Sequence, residues 1–161
     1  MRFVSRVLLI TMLAVIVCAA QDRKHIVMKR ATPAAANAPF SEAVLVGDTL
    51  YIGGHLGLDP ATGKPGATPE DEAKLLMEAF KRTIEAAGMN VDDLVSVQVH
   101  CSDVSFYDAF NGVYRTYFHD KYPARAFLGS GKLLFGARFE MLGVAVRKHQ
   151  NFRPAESVKP R

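Results

Sequence analysis

Residues 68–88 carry a complete set of signals for one amphipathic helix, and that helix limits what the rest of the chain can build. Thr68 can cap the first turn, Pro69 suits the first helical position, and Asp71 can reach back to the cap as in a capping box. Ala73, Leu76, Met77, Phe80, Ile84 and Ala87 recur at helical spacing, Lys74, Glu78, Lys81 and Glu85 lie elsewhere, and Gly88 supplies the stop. A stripe of this kind is core rather than a cofactor box, and it needs a surface to lie on. The next segment offers one. In residues 94–101, Val95, Val97, Val99 and Cys101 fall on one face while Ser96, Gln98 and His100 fall on the other, the period of a half-buried strand.

The remaining elements fit a sheet under that helix. Residues 43–46 and 50–54 make a hairpin around Gly47-Asp48, and residues 58–66 are turn chemistry, with Asp-Pro, Thr-Gly and Pro-Gly pairs. A second helix, capped by Asp103 or Ser105, carries the stripe Phe106, Phe110, Val113, Tyr114 and Tyr117 and stops before Pro123. A short strand over 124–128, a corner at Gly129-Ser130-Gly131 and a last strand over 139–147 complete the order β-β-α-β-α-β-β. This predicts an α+β fold, a mixed sheet with two helices packed on one face. The other face would be bare, and a second copy of the same sheet is the economical cover, so a homo-oligomer is expected.

The ends read differently from the middle. Arg2 and Arg6, an apolar run from Val7, and the small residues Cys18-Ala19-Ala20 describe a secretory signal peptide over residues 1–20. The uncharged stretch is short for a membrane span. An uncleaved membrane anchor and lipidation at Cys18 are the alternatives, and the exact cleavage site stays open. Residues 21–39 form an arm or linker, 40–150 the domain, and 151–161 a loose tail. Cleavage would leave 18 Lys and Arg against 16 Asp and Glu, a net charge of about +2. With no basic run interleaved with aromatics, nucleic acid is not an expected partner, nor is a membrane after cleavage. Cys101 would be the single remaining cysteine, so no intrachain disulfide can form, and its place at the end of an apolar strand reads as a buried, inert thiol.

Most familiar chemical motifs are absent. Gly129-Ser130-Gly131-Lys132 fails as a phosphate loop, because Ala126 stands where the partner glycine belongs and Leu133 replaces the Ser or Thr. The five histidines lack metal-ligand spacing, so no metal is expected; His55, after Gly53-Gly54, could line a pocket or be a solvated turn residue. Two charges stand among apolar strand residues, Arg125 and Glu140, the latter on one face with Leu142, Val144 and Val146. Each could sit at a solvated strand edge. Together they could also form a carboxylate-binding guanidinium beside a carboxylate that holds a water.

Five stretches, taken in order, resemble the Rid (reactive intermediate deaminase, YjgF-like) family, historically also described as endoribonuclease L-PSP. Residues 38–44 are similar to its "GPYSQAV", and 51–60 to "xxSGQxxxDP". Residues 86–88 with 91–99 are similar to "EAAGxxLxDVVKxxVF", and 111–118 to "NxVYxxYF". Pro123-Ala124-Arg125 with Glu140 fifteen residues on is similar to its "PAR" and "VEIE". The resemblance covers about residues 26–148 and implies a chorismate-mutase-like (YjgF-type) fold, a homotrimer and clefts between subunits. It implies that Arg125 grips a substrate carboxylate, which suits a bidentate guanidinium better than a lysine. Glu140 positions the attacking water, and Asn111 lines the cleft. The implied reaction is hydrolysis of enamine and imine intermediates of amino acids to 2-keto acids and ammonia, without cofactor or metal.

Several positions depart from that pattern. Phe40 replaces a tyrosine, Gly53 a serine, His55 a glutamine and Ala126 a serine, while Phe127 stands where cysteine or threonine is usual. Phe40, Gly53, His55 and Phe127 are thus expected to line a cleft that has lost hydroxyls, favouring a larger or more apolar substrate or weak turnover. An export signal would also separate the protein from enamines made in the cytoplasm. The competing readings are a trimeric module that binds small carboxylates without turnover and, with less support from charge and histidines, an endoribonuclease.

Overall fold

The computed structural model describes residues 22–28, 38–119 and 121–148. The proposed signal peptide, most of the linker and the tail from residue 149 lie outside them. Six strands form one sheet: β1 (Arg23–Ile26), β2 (Ala43–Val46), β3 (Thr49–Leu56), β4 (Leu94–Cys101), β5 (Ala124–Gly129) and β6 (Phe139–Val146), in the spatial order β1-β2-β3-β6-β4-β5. Only β4 and β5 run parallel; the other pairs are antiparallel. Helices α1 (Pro69–Ala86) and α2 (Tyr107–Tyr114) carry the buried apolar side chains that close over the sheet. This is the α+β arrangement expected from the sequence, with one strand more: β1 lies within the segment expected as an arm. Its sequence RKHI buries only Ile26, so its strand character comes from pairing with β2 rather than from an apolar pattern.

The α1 instructions are executed as written. The Thr68 hydroxyl accepts from Asp71 N–H, the Asp71 carboxylate accepts from Thr68 N–H, and Gly88 ends the run at φ 72°. The face buried against the sheet is Ala73, Leu76, Met77, Phe80 and Ile84. On β4 a register shift between Leu94 and Ser96 moves Val95 off the core face. Val95 is 47% exposed and Leu94 takes the buried place, while Val97, Val99 and Cys101 face the helices as expected. The second helix is shorter than its stripe suggested. A 3-10 turn capped by Asp103 precedes it, another follows over Arg115–Tyr117, and Phe110 and Tyr114 are its buried anchors. Burial raises the pKa of the Cys101 thiol, which donates to the Asp103 carbonyl, in keeping with an inert cysteine.

One buried carboxylate ties the helix layer to the sheet. Glu72, fully buried in the first turn of α1, accepts from Arg138 N–H at 2.5 Å, Phe139 N–H at 3.0 Å and Arg138 Nη1 at 2.7 Å. Arg138 also donates to the carbonyls of Gly66 and Ala67. The start of β6, the loop before α1 and the helix itself are therefore fixed to one another. Glu72→Ala strips the acceptor from two backbone N–H groups and the carboxylate partner from a half-buried guanidinium, and is expected to lower stability by roughly 3–5 kcal/mol. Urea unfolding followed by circular dichroism measures it; a loss under 1 kcal/mol would contradict this account.

Candidate functional site

Strand register places the two candidate charges on opposite faces of the sheet. Val97 of β4 pairs with Arg125 on β5 and with Gly143 on β6, and Val97 is buried against the helices. Arg125 therefore points to the helix side. His100, three residues further along β4, pairs with Glu140 and Leu128, and these point to the uncovered side. A single chain does not bring Arg125 and Glu140 together.

On the helix side, α2 supplies the surroundings of Arg125. Its Nη2 donates to Asn111 Oδ1 at 2.7 Å, and Asn111 is buried. The guanidinium carbon lies 4.6 Å from the Tyr114 ring centre, 5.8 Å from Tyr107 and 5.9 Å from Phe127. Rings at these distances hold a cation in place without consuming its N–H donors. Phe127 packs edge-on against Tyr107 and Phe110, so it supports the site from within the core. A cleft of about 240 Å³ opens here, lined by Tyr107, Asn111, Tyr114, Arg115, Tyr122, Pro123 and Arg125. No carboxylate is among the lining residues. The structure thus brings together Arg125, Asn111 and Phe127 of the sequence candidates.

Tyr107, Tyr114, Arg115 and Tyr122 were not legible as site residues, because the helical period assigns Tyr114 to core and nothing local marks the others. Tyr114 is both. Its ring stacks on Phe110, and its hydroxyl is buried with no hydrogen-bond partner among the described residues. Burial raises its pKa to about 12, against the opposing pull of the Arg125 charge, so the group remains a neutral donor throughout the physiological range.

On the uncovered side, Glu140 has a built seat. A side-chain carbon on Gly54 would fall on the Glu140 carboxylate and push it aside, so glycine here lets the carboxylate lie against the strand. Gly54 lies in the bulge where the β3–β6 register shifts between Ile52 and His55. Gly53 N–H donates to the Glu42 carbonyl at 2.8 Å, which draws the segment carrying the exposed Phe40 to the same place. Glu140, Gly53 and the Phe40 segment therefore form a second neighbourhood, separate from the Arg125 cleft.

His55 belongs to neither, contrary to the expectation that it lines the cleft. The bulge puts it in register with the buried Met141, so its ring enters the core, edge-on to Phe80 at 5.2 Å. Nδ1 donates to the Gly53 carbonyl at 2.8 Å, and Nε2 is hydrogen-bonded to the Thr83 hydroxyl on α1 at 2.8 Å. His55 acts as a brace between the bulge and the helix.

A two-layer α+β domain here presents a ring-flanked guanidinium in a small cleft, an arrangement able to bind a carboxylate. The comparisons specify it further. The chain belongs to the endoribonuclease L-PSP family, the YjgF/RidA group, whose model matches residues 29–147. It is 38% identical over 123 residues, covering 75% of this chain and 89% of the relative, to the 2-iminobutanoate/2-iminopropanoate deaminase of Capra hircus. Among solved structures it is similar to RidA from the Antarctic bacterium Psychrobacter, with a TM-score of 0.69 and 29% identity over 77% of this chain and 100% of that one. It is also similar to E. coli TdcF with bound serine, with a TM-score of 0.69 and 26% identity over 78% of this chain and 100% of that one.

Two substitutions test the two neighbourhoods. Tyr114→Phe removes an unpartnered buried hydroxyl and is expected to stabilise the fold by about 1 kcal/mol. The effect should persist under alkali. Below pH 10 Tyr114 is neutral in both states; as pH climbs toward 12 the unfolded chain loses the proton first, so the parent loses more stability than the variant, in which the raised Tyr117 still contributes a fall. Paired thermal melts at pH 7.5 and 10.5 read this, and a destabilised Tyr114→Phe at both would show that the hydroxyl has a partner. Gly54→Ala should displace Glu140 and cut turnover at least tenfold while leaving the affinity of the Arg125 cleft for small carboxylates unchanged.

Proposed function

We propose that this protein is an imine and enamine deaminase, hydrolysing reactive amino-acid intermediates to 2-keto acids and ammonia in clefts shared between copies of the chain. The observation that carries the reading is the Arg125 guanidinium, fixed by Asn111 and Tyr114 with N–H groups left toward the cleft. The names of relatives at 35–38% identity support the reaction.

The chemistry needs few groups. Arg125 holds the substrate carboxylate through paired N–H donors and so sets the adjacent C=N carbon at a fixed place. A carboxylate near that carbon accepts a proton from water as the water oxygen adds, and the imine nitrogen gains a proton. The resulting carbinolamine loses its C–N bond, ammonia departs, and the 2-keto acid remains. Glu140 is the candidate for the water-holding carboxylate, and the sheet geometry requires that it come from a neighbouring copy. The same association would cover Tyr51, Leu142 and Val144 on the uncovered face, and the family resemblance makes the assembly a homotrimer. The chain is exported by this reading, with its first 20 residues removed.

Imino acids generated in situ by an amino-acid oxidase provide the assay, with ammonia or keto acid as readout. Arg125→Ala is expected to lose roughly 100-fold or more in kcat/KM, since two charge-assisted hydrogen bonds to the carboxylate vanish. Co-expressed Arg125→Ala and Glu140→Ala chains are expected to recover about a quarter of parental activity, because a cleft between copies is intact when each neighbour supplies its unmutated half. No recovery in mixed trimers would confine the site to one chain. A well-folded protein that binds keto acids yet hydrolyses no imine would instead be the non-catalytic carboxylate-binding module.

A further inference from the structure

The Arg125 cleft contains a second guanidinium that the proposed reaction does not use. Arg115 follows α2 directly, in the 3-10 turn Arg115–Tyr117, and lines the same cleft as Arg125. Among the described residues it has no carboxylate or hydrogen-bond partner, and no acidic side chain lines the cleft. Arg115 and Arg125 therefore both line one small volume of about 240 Å³, to which the described residues of the same chain add no acidic side chain.

We infer that Arg115 determines specificity by taking a second anionic group, so that the preferred substrates are imino acids bearing two carboxylates. The inference rests on the deaminase reading for the role of the cleft and adds to it the class of substrate. Arg125, with Asn111 fixing its angle, receives the 2-carboxylate; Arg115, on an exposed and unbraced side chain, reaches the distal carboxylate. The chain between the two carboxylates lies against the rings of Tyr107 and Tyr122, which are polar only at their hydroxyls. The cleft thus differs from the purely apolar pocket that the lost hydroxyls suggested. Its walls are aromatic and one chain contributes two arginines to them, so a substrate whose distal end is neutral is penalised less by bulk than by leaving Arg115 unmatched. The competing role for Arg115 is to complement the C-terminal end of the α2 dipole, which would make it a stability residue with no effect on ligand choice.

Binding and turnover separate these. The stable probes are glutarate and butyrate, titrated calorimetrically into the full assembly of the parent, Arg115→Gln and Arg115→Lys. The parent is expected to bind glutarate roughly tenfold tighter than butyrate, Arg115→Gln to lose that preference with butyrate affinity unchanged, and Arg115→Lys to regain part of it. In turnover, Arg115→Gln should raise KM for 2-iminoglutarate several-fold more than KM for 2-iminobutanoate, with the larger effect in KM rather than kcat. Equal affinity for glutarate and butyrate in the parent, or an Arg115→Gln that weakens both alike, overturns the inference. If the dianion preference holds in binding while no imine is hydrolysed, the deaminase reading fails and the specificity assignment stands. If 2-iminobutanoate is hydrolysed without any dianion preference, the reverse is true.

Discussion

A β-strand can offer a given residue to only one face of its sheet, and the organisation of this protein depends on that period of two. Along β4, Val97 and His100 are three residues apart and so point to opposite sides. Their cross-strand partners inherit the division: Arg125 goes with Val97 to the helix side, Glu140 with His100 to the uncovered side. No rotamer change can carry either side chain through a hydrogen-bonded sheet. A reaction that uses both therefore demands two copies, arranged so that the β5–α2 edge of one meets the uncovered face of the next. The uncovered face has its own reason to seek a partner, because Tyr51, Leu142, Val144 and Val146 share it. One association would cover the apolar face and complete the divided site, which explains why a domain this small need not contain a whole active site.

Each of the two neighbourhoods is held by groups behind it. Glu72 fixes the start of β6 to α1 immediately before Glu140, through bonds to the N–H groups of Arg138 and Phe139. His55 fixes the Gly53-Gly54 bulge to Thr83 on the same helix. The carboxylate of Glu140 is thus located between two strands whose ends are both braced to α1. On the other side, Arg125 is braced by one amide and three rings. The contrast in material follows from exposure: buried backbone N–H groups require an acceptor, whereas a guanidinium at a cleft edge keeps its donors for the ligand if rings rather than carboxylates steady it.

The layers of this fold were legible because each depends on local signals. The capping residues Thr68 and Asp71, the stripe of α1 and the alternation of β4 state their structure within a few residues, and the structure agrees. What was not legible depends on pairing. The strand Arg23–Ile26 is polar and owes its conformation to β2; Val95 is turned outward by a register shift that no pattern announces; His55 is turned inward by the β3 bulge. In the site, Arg125 and Asn111 could be named from motif and spacing. Tyr107, Tyr122 and Arg115 could not, since they reach the cleft only through the way α2 crosses β5. Glu72 was invisible for a related reason: an acidic residue in the first turn of a helix is common at the surface, and nothing in its neighbours shows that β6 will begin directly beneath it.

The departures from the family pattern acquire a physical meaning once the two neighbourhoods are distinguished. Phe40 and Gly53 belong to the Glu140 side, Phe127 to the Arg125 side, and His55 to the core. Phe40 and Gly53 thus lack hydroxyls on the Glu140 side, and under the proposed association that side meets the Arg125 cleft of the next copy. A carboxylate with fewer competing donors around it keeps its lone pairs for water, which helps it accept a proton, but it also loses the fixed bonds that would orient that water. On the Arg125 side the same substitutions leave the anion clamp intact. In the proposed cleft between copies, the candidate anion clamp and the candidate water-holding carboxylate come from different faces of the sheet, so a substitution near one can leave the bracing of the other unaltered.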